Sequence, residues 1–169
     1  MRPNTTALII RRLRYLRNGE FLNVLFLPAA LAFVLWTVQA PTYLLYSYAM
    51  GALCFILIQG GRYWHLKLAV VTGRAARLPD GFARRYRTFR RSNVILLGLY
   101  PLLAVVAVAT GATRGMEILW ATLLAGFAAL EHVNYYHWQL MYDNANDLRW
   151  LLQHRRLRRA HLGEELMRL

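Results

Sequence analysis

The stretch MEILWATLLAGFAALEHVNYYHWQLMYD, residues 116–143, decides the architecture. Its first half, 116–130, is almost wholly apolar and reads as a membrane span. Its second half packs Glu131, His132, Asn134, His137, Gln139, Asp143 and four aromatic residues into thirteen positions. Such a switch marks the point where a helix leaves hydrocarbon, and ionisable groups placed there need partners or water.

Three further apolar blocks precede it: FLNVLFLPAALAFVLWTV (21–38), YLLYSYAMGALCFILI (43–58) and VILLGLYPLLAVVAVA (94–109). Each is slightly short of the ~20 residues that cross a bilayer core, and the flanking residues complete them. The spacing predicts spans at approximately 20–38, 43–63, 93–110 and 115–137, with Pro28 and Pro101 inside two of them. Hydrophobic residues make up 57% of the 169-residue chain and charged residues 17%. With no polar face on any block, this composition excludes an ordinary soluble bundle. The fold class expected is an all-α membrane protein, a single domain of four transmembrane helices arranged as two hairpins. The N-terminal 1–19 and C-terminal 145–169 segments are expected to be cytoplasmic amphipathic helices.

The charges orient the chain. Of 21 basic residues, only Lys67 is lysine. Five arginines precede Phe21, nine basic residues lie between 60 and 92, six follow Asn134, and Arg114 stands alone in the turn between the last two blocks. Twenty basic residues therefore fall on one side and one on the other. The positive-inside rule places both termini in the cytoplasm, and a prokaryotic plasma membrane is the expected location. Glu117 lies three residues after Arg114 and is expected to pair with it.

Three arginine-rich stretches are expected to lie on the membrane surface: TTALIIRRLRYLR (5–17), GFARRYRTFRRSN (81–93) and DLRWLLQHRRLRRAHLGEEL (147–166). The last should be one helix capped near Asn146 or Asp147. Phe82, Tyr86 and Phe89 among the arginines of the second suit a headgroup layer. Arg11, Arg14, Arg84, Arg85, Arg87, Arg90, Arg91, Arg155 and Arg158 are the candidate contacts to lipid phosphate. The expected partners are the bilayer, its anionic lipids, and either copies of the chain or another membrane protein. Nucleic acid is not among them, because bilayer anchoring already accounts for the basic and aromatic pattern.

Counting along the spans brings four sets of polar side chains to one depth. Glu131 is 16 residues from Gly115, and Gln59 is 16 from Tyr43, each roughly 24 Å at the helical rise of ~1.5 Å per residue. The first span enters through Glu20 and Asn23 and the third through Ser92 and Asn93. On the fourth helix Glu131, Asn134, Tyr135 and Trp138 share one face, while His132, Tyr136, Gln139 and Asp143 share another. The candidate polar cluster or ligand site is therefore Glu20, Gln59, Arg62, His65, Glu131, His132, Asn134, His137, Gln139 and Asp143. Glu131 is expected to pair with Arg62, or alternatively with His65. Gly60 and Gly61 would allow a close helix approach.

The chemistry of this cluster stays open. His132 and His137 are five residues apart, about 140° around a helix, so they do not form an HxxxH metal pair. No metal site is assigned, and a metal or haem is possible but not favoured. The single cysteine, Cys54, permits no intrachain disulfide. GxSxG, Walker A, HExxH and CxxC motifs are absent. The expected function is a small, non-enzymatic membrane component that assembles with itself or a partner and binds anionic lipid or an acidic surface. One alternative is a membrane enzyme acting on a lipid or isoprenoid head group, with Glu131, His132 and His137 as acid–base groups and Arg62 on a phosphate. Another is an oligomeric channel or exporter.

Overall fold

A computed structural model describes residues 3–38, 43–113, 115–143 and 145–169 of the chain, with the side chains of residues 3–5, 145 and 146 left aside. Arg114, and with it the expected pairing to Glu117, lies outside the described residues. Six helices follow one another: α1 (Pro3–Thr37), α2 (Leu44–Val71), α3 (Phe82–Ala109), α4 (Met116–Tyr136), α5 (Ala145–His154) and α6 (His161–Arg168). The first four are long and apolar enough to cross a membrane. Among the described residues the extended structure amounts to one antiparallel bridge, Trp138 to Arg159.

α2 is the centre. It packs against α1, α3 and α4, and α3 packs against α4. In its most apolar window 61% of α2 is buried, against 6% of α1 and 17% each of α3 and α4. The other three helices therefore present most of their apolar surface outward, including Phe26, Phe33, Leu102, Val105 and Leu123. A helix exposing that much apolar surface is suited to a hydrocarbon solvent.

Small residues make the close contacts. Ala121, Ala125 and Ala128 recur along one face of α4 and are at most 8% exposed. Without hydrophobic drive between helices in lipid, such small side chains let backbones approach and gain dispersion contacts. Two apolar clusters result. One gathers Leu35, Leu45, Ala49, Tyr100, Ala107 and Ala121. The other, at the end carrying the arginines, gathers Leu53, Ile56, Leu57, Tyr63, Tyr86 and Tyr136.

At that basic end the helices overrun the spans expected from hydropathy. α1 is one uninterrupted helix of 35 residues, about 52 Å long at ~1.5 Å per residue. The expected N-terminal surface segment and first span are thus continuous. α3 likewise begins at Phe82, so its arginine-rich stretch is the first turns of the span-bearing helix. The aromatics there do not face outward as expected. Phe82, Tyr86 and Phe89 sit four and three residues apart on one helical face, and Phe82 and Tyr86 are buried. Their rings meet each other and Tyr63 at 4.5–6.4 Å between centroids.

The C-terminal stretch is also different from expectation. It is not one helix from Asp147 to Leu166 but two, parted at residues 155–160. α5 starts at Ala145, ahead of the expected cap, and Asn144 lies outside the described residues. Arg155 takes φ 48°, a left-handed conformation that ends a helix. The chain then runs back along the end of α4: Gln139 N–H donates to Arg158 O at 2.8 Å and Ala160 N–H to His137 O at 3.1 Å. α6 docks by burying Leu162 and Leu166. Gly163 permits the approach, because a Cβ there would lie 2.6 Å from the Tyr136 carbonyl oxygen. Packing and these non-local bonds outweigh the helix propensity of the arginine run.

Ala128 is fully buried on α4, whereas no neighbour would approach within 4 Å of a Cβ at Gly126 on the same helix. Ala128→Leu is expected to lower stability in detergent by about 1–3 kcal/mol through overpacking. Gly126→Leu, on the open face, is expected to unfold at or above the wild-type temperature. Thermal unfolding of the two variants checks this.

Candidate functional site: a polar core and a cavity at the basic end

Gln59 on α2 and Asn93 on α3 are 2% and 0% exposed. Buried carboxamides need partners, and these two supply each other. Gln59 Nε2 donates to Asn93 Oδ1, and Asn93 Nδ2 to Gln59 Oε1, both at 2.9 Å. Tyr136 Oη donates to the same Gln59 Oε1 at 2.7 Å, and Tyr86 Oη to the Gln59 backbone carbonyl at 3.2 Å. Asn93 Nδ2 also reaches His132 Nδ1 at 3.4 Å. Since an amide nitrogen only donates, that contact leaves the imidazole proton on Nε2. His132 stacks on Tyr136 one turn later, ring centroids 5.0 Å apart. One network thus links α2, α3 and α4.

The other polar face of α4 looks toward α1. Tyr135 lies over Gly60 of α2 so closely that a Cβ at Gly60 would fall into its ring. Gly61 performs the same service for α1, whose Glu20 Cβ and Phe21 ring would lie 3.2 Å from an added Cβ. Tyr135 Oη faces the Glu20 carboxylate and the Trp64 indole, and Glu131 stands next to Glu20. Asn134 holds the turn that follows α4. It donates to Glu131 Oε2 at 3.3 Å, and its Oδ1 accepts from the backbone N–H groups of Leu140 and Met141 at 2.8 and 3.3 Å.

The expected pairing of Glu131 with Arg62 or His65 is not formed. Arg62 and His65 are exposed, and the Arg62 charge is felt by Tyr86 of α3. The reason is azimuth. Gly60 faces Tyr135, and a residue two positions on points about 200° away around the helix. The level along the helices is shared, but the direction is not.

Between α1, the end of α2, the turn after α4, and α6 lies a cavity of about 1030 Å³. Glu20, Asn134, Gln139 and Asp143 line it, as do Tyr63, Trp64 and Tyr135. Leu8, Ile9, Leu13 and Leu16 of α1 form its apolar side. Ion pairs close its walls. Arg12 holds Asp143 through two bonds, Nη1 to Oδ2 at 2.9 Å and Nη2 to Oδ1, and Lys67 Nζ holds Glu165 at 2.6 Å. The Arg12 hydrogen bonds keep the Asp143 carboxyl below the usual carboxylate range. Burial holds His161, edge-on to Trp64 at 6.2 Å, below the usual imidazole range. Three buried polar atoms on the lining residues have no hydrogen-bond partner among the described residues: Trp64 Nε1, Tyr135 Oη and Gln139 Oε1.

The candidate residues therefore divide. Gln59 and His132 belong to the buried network, joined by Asn93 and Tyr136. Glu20, Asn134, Gln139 and Asp143 belong to the cavity, with Glu131 behind Asn134. His137 is exposed beside His132, 5.5 Å between rings. Among the described residues no three His, Cys, Asp or Glu side chains converge as a metal site. Trp64, Tyr135 and His161 complete the cavity. The overlap of Gly60 with Tyr135 and the return of the C-terminal segment bring them there, and local spacing carries neither signal.

Asn93→Leu is expected to cost about 1–3 kcal/mol by leaving the Gln59 Nε2 donor buried and unpaired, while Tyr136 still donates to Gln59 Oε1. The Gln59→Leu, Asn93→Leu double variant should lose less than the sum of the single losses, measured as a double-mutant cycle of unfolding in detergent. Asp143, with its pKa depressed in the folded state, adds stability that is present above its unfolded pKa of ~3.9 and lost as pH falls through the folded value. Asp143→Asn is therefore expected to flatten the acid limb of stability against pH, with the melting temperature followed from pH 6 downward. Comparison of the chain with protein-family models, with curated proteins and with solved structures finds no match.

Proposed function

We propose that the chain is a small, non-enzymatic integral membrane component whose basic cytoplasmic face holds anionic lipid, or an acidic partner, while its open apolar faces pack against lipid, copies of itself or another membrane protein. In this reading α1–α2 and α3–α4 are two hairpins, and both termini are cytoplasmic by the twenty-to-one charge distribution.

The observation that carries it is a set of unpaired arginines at one end of four apolar helices. Arg11, Arg14, Arg84, Arg85, Arg90, Arg91 and Arg155 are exposed, and none has an acidic partner among the described residues. Two others are engaged within the chain. Arg87 donates to Leu166 O at 3.1 Å, and Arg158 pairs with Asp147 at 3.6 Å and covers the Trp150 ring. On α3, Arg84 and Arg91 lie about 20° apart around the helix, opposite the buried Phe82 and Asn93, so they face away from the bundle. Basic residues beside an anionic membrane surface each contribute on the order of 1 kcal/mol.

Binding is favoured over turnover because the acid–base candidates do not share one cavity. Glu131 looks toward α1, His132 is turned into the Asn93 network, and Arg62 is on the far side of α2.

Phosphatidylglycerol added to the protein in neutral detergent is expected to raise its unfolding temperature more than phosphatidylcholine does, and salt should reduce the difference. Changing Arg84, Arg85, Arg90 and Arg91 together to Gln should remove most of that preference. An equal response of wild type and variant to both lipids would sink the electrostatic reading.

A further inference from the structure

We propose that the cavity between α1, α4 and α6 is a binding site for an amphiphile carrying a primary ammonium group, its head held at Glu20 and Tyr135 and its apolar chain along Leu8, Ile9, Leu13 and Leu16. This goes beyond the arginine-face reading and does not depend on it.

Charge bookkeeping around the cavity singles out the head group. Three of the four Arg and Lys side chains on its walls are already matched, Arg12 by Asp143, Lys67 by Glu165, and Arg168 by Glu164 at 3.8 Å; the fourth, Arg11, is exposed and lies nine residues before Glu20 on α1, about 14 Å along the helix. Glu20 has no cation among the described residues. Its neighbours are a hydroxyl and a second carboxylate, Glu131, which itself receives only an amide hydrogen bond from Asn134. An uncompensated carboxylate beside low-dielectric surroundings is costly. The unmatched charge at the Glu20 end of the cavity is therefore negative, and an anionic or phosphate head placed there would add to it.

The second, independent observation is the set of unpartnered polar atoms. Tyr135 is 3% exposed, yet its Oη, which stands beside the Glu20 carboxylate and the Trp64 indole on the cavity wall, reaches neither with hydrogen-bond geometry. Gln139 Oε1, an acceptor, is also buried and unpartnered on the same wall. An ammonium offers three donors and no acceptor. A carboxylate, a phenol oxygen and an amide carbonyl are acceptors that such a group satisfies; the third unpartnered atom, the Trp64 Nε1 donor, is left to the Tyr135 Oη beside it. The remaining wall is aliphatic, and a cavity of about 1030 Å³ is at the upper end of the volumes that hold small ligands.

The test uses full-length protein in a neutral maltoside detergent and radiolabelled dodecylamine as the probe, with 1-dodecanol and dodecyl phosphate as the uncharged and anionic counterparts. Saturable binding of one dodecylamine per chain is expected, with the two counterparts at least about tenfold weaker. Glu20→Gln should weaken dodecylamine by a similar factor and leave dodecanol unchanged, and Glu20→Asp should recover part of the loss. Leu16→Trp fills the cavity without altering its charge, so it should abolish binding even where Glu20→Gln does not fold. Gly126→Leu, on the open face of α4 and outside the cavity lining, should bind as wild type. Equal binding of dodecyl phosphate, unchanged binding by Glu20→Gln with Leu16→Trp, or no saturable binding would each overturn the proposal. Loss of the anionic-lipid preference with dodecylamine binding intact would overturn only the arginine-face reading.

Discussion

A carboxamide between apolar helices has nowhere to find water, so Gln59 must be answered from inside the protein. Asn93 answers it with both halves of its amide, Tyr136 with its hydroxyl, and Tyr86 at the backbone carbonyl. Each donor comes from α3 or α4, so satisfying this one residue fixes how both helices are rotated about α2. Apolar packing alone is permissive of rotation, because Leu and Ile contacts vary little with azimuth. The amide pair is directional, and small changes in rotation would leave polar groups orphaned.

That rotation determines the rest of the basic end. With His132 and Tyr136 turned into the amide network, Glu131 and Tyr135 are obliged to face α1. Tyr135 then needs the space that Gly60 leaves open, and Gly61 lets α1 bring Glu20 alongside. Trp64, one turn beyond Gly60 and Gly61, enters the same cavity wall. The network and the cavity are thus opposite faces of one helix end. The first is fully packed and nearly satisfied, and the second is open and contains polar atoms without partners. Tight hydrogen bonding, in which His132 Nε2 alone is left without a partner among the described residues, serves as structure there, and the less complete bonding of the cavity is what a ligand can use.

The C-terminal segment has a similar double character. Its arginines are exposed at Arg155 and Arg156, yet Leu162 and Leu166 of α6 belong to the core around Tyr63 and Tyr136. Lys67–Glu165 and Arg12–Asp143 tie α6 and the turn after α4 to α2 and α1. The cavity is therefore roofed by chain that is distant in sequence from the helices forming its floor. Its shape depends on ion pairs at a wet boundary, which are individually weak, and on apolar docking, which is not.

The sequence by itself determined the number of long apolar helices and the level along them at which polar residues appear. Both are one-dimensional quantities: hydropathy is summed along the chain, and depth is a residue count multiplied by a constant rise. That is why Gln59, Asn93 and His132, found at one level by counting, lie within one network. Azimuth was decided by tertiary structure. Arg62 shares the depth of Glu131 but points away from it, because Gly60 rather than Arg62 is the residue that a tyrosine ring can lie against. The same applies to Phe82, Tyr86 and Phe89, whose spacing fits a buried stripe as well as a headgroup anchor until Tyr63 is placed opposite. The break at Arg155 and the return of α6 were likewise invisible locally, since the bonds that stabilise them go to His137, Gln139 and Tyr142, residues reached only when the chain has folded back.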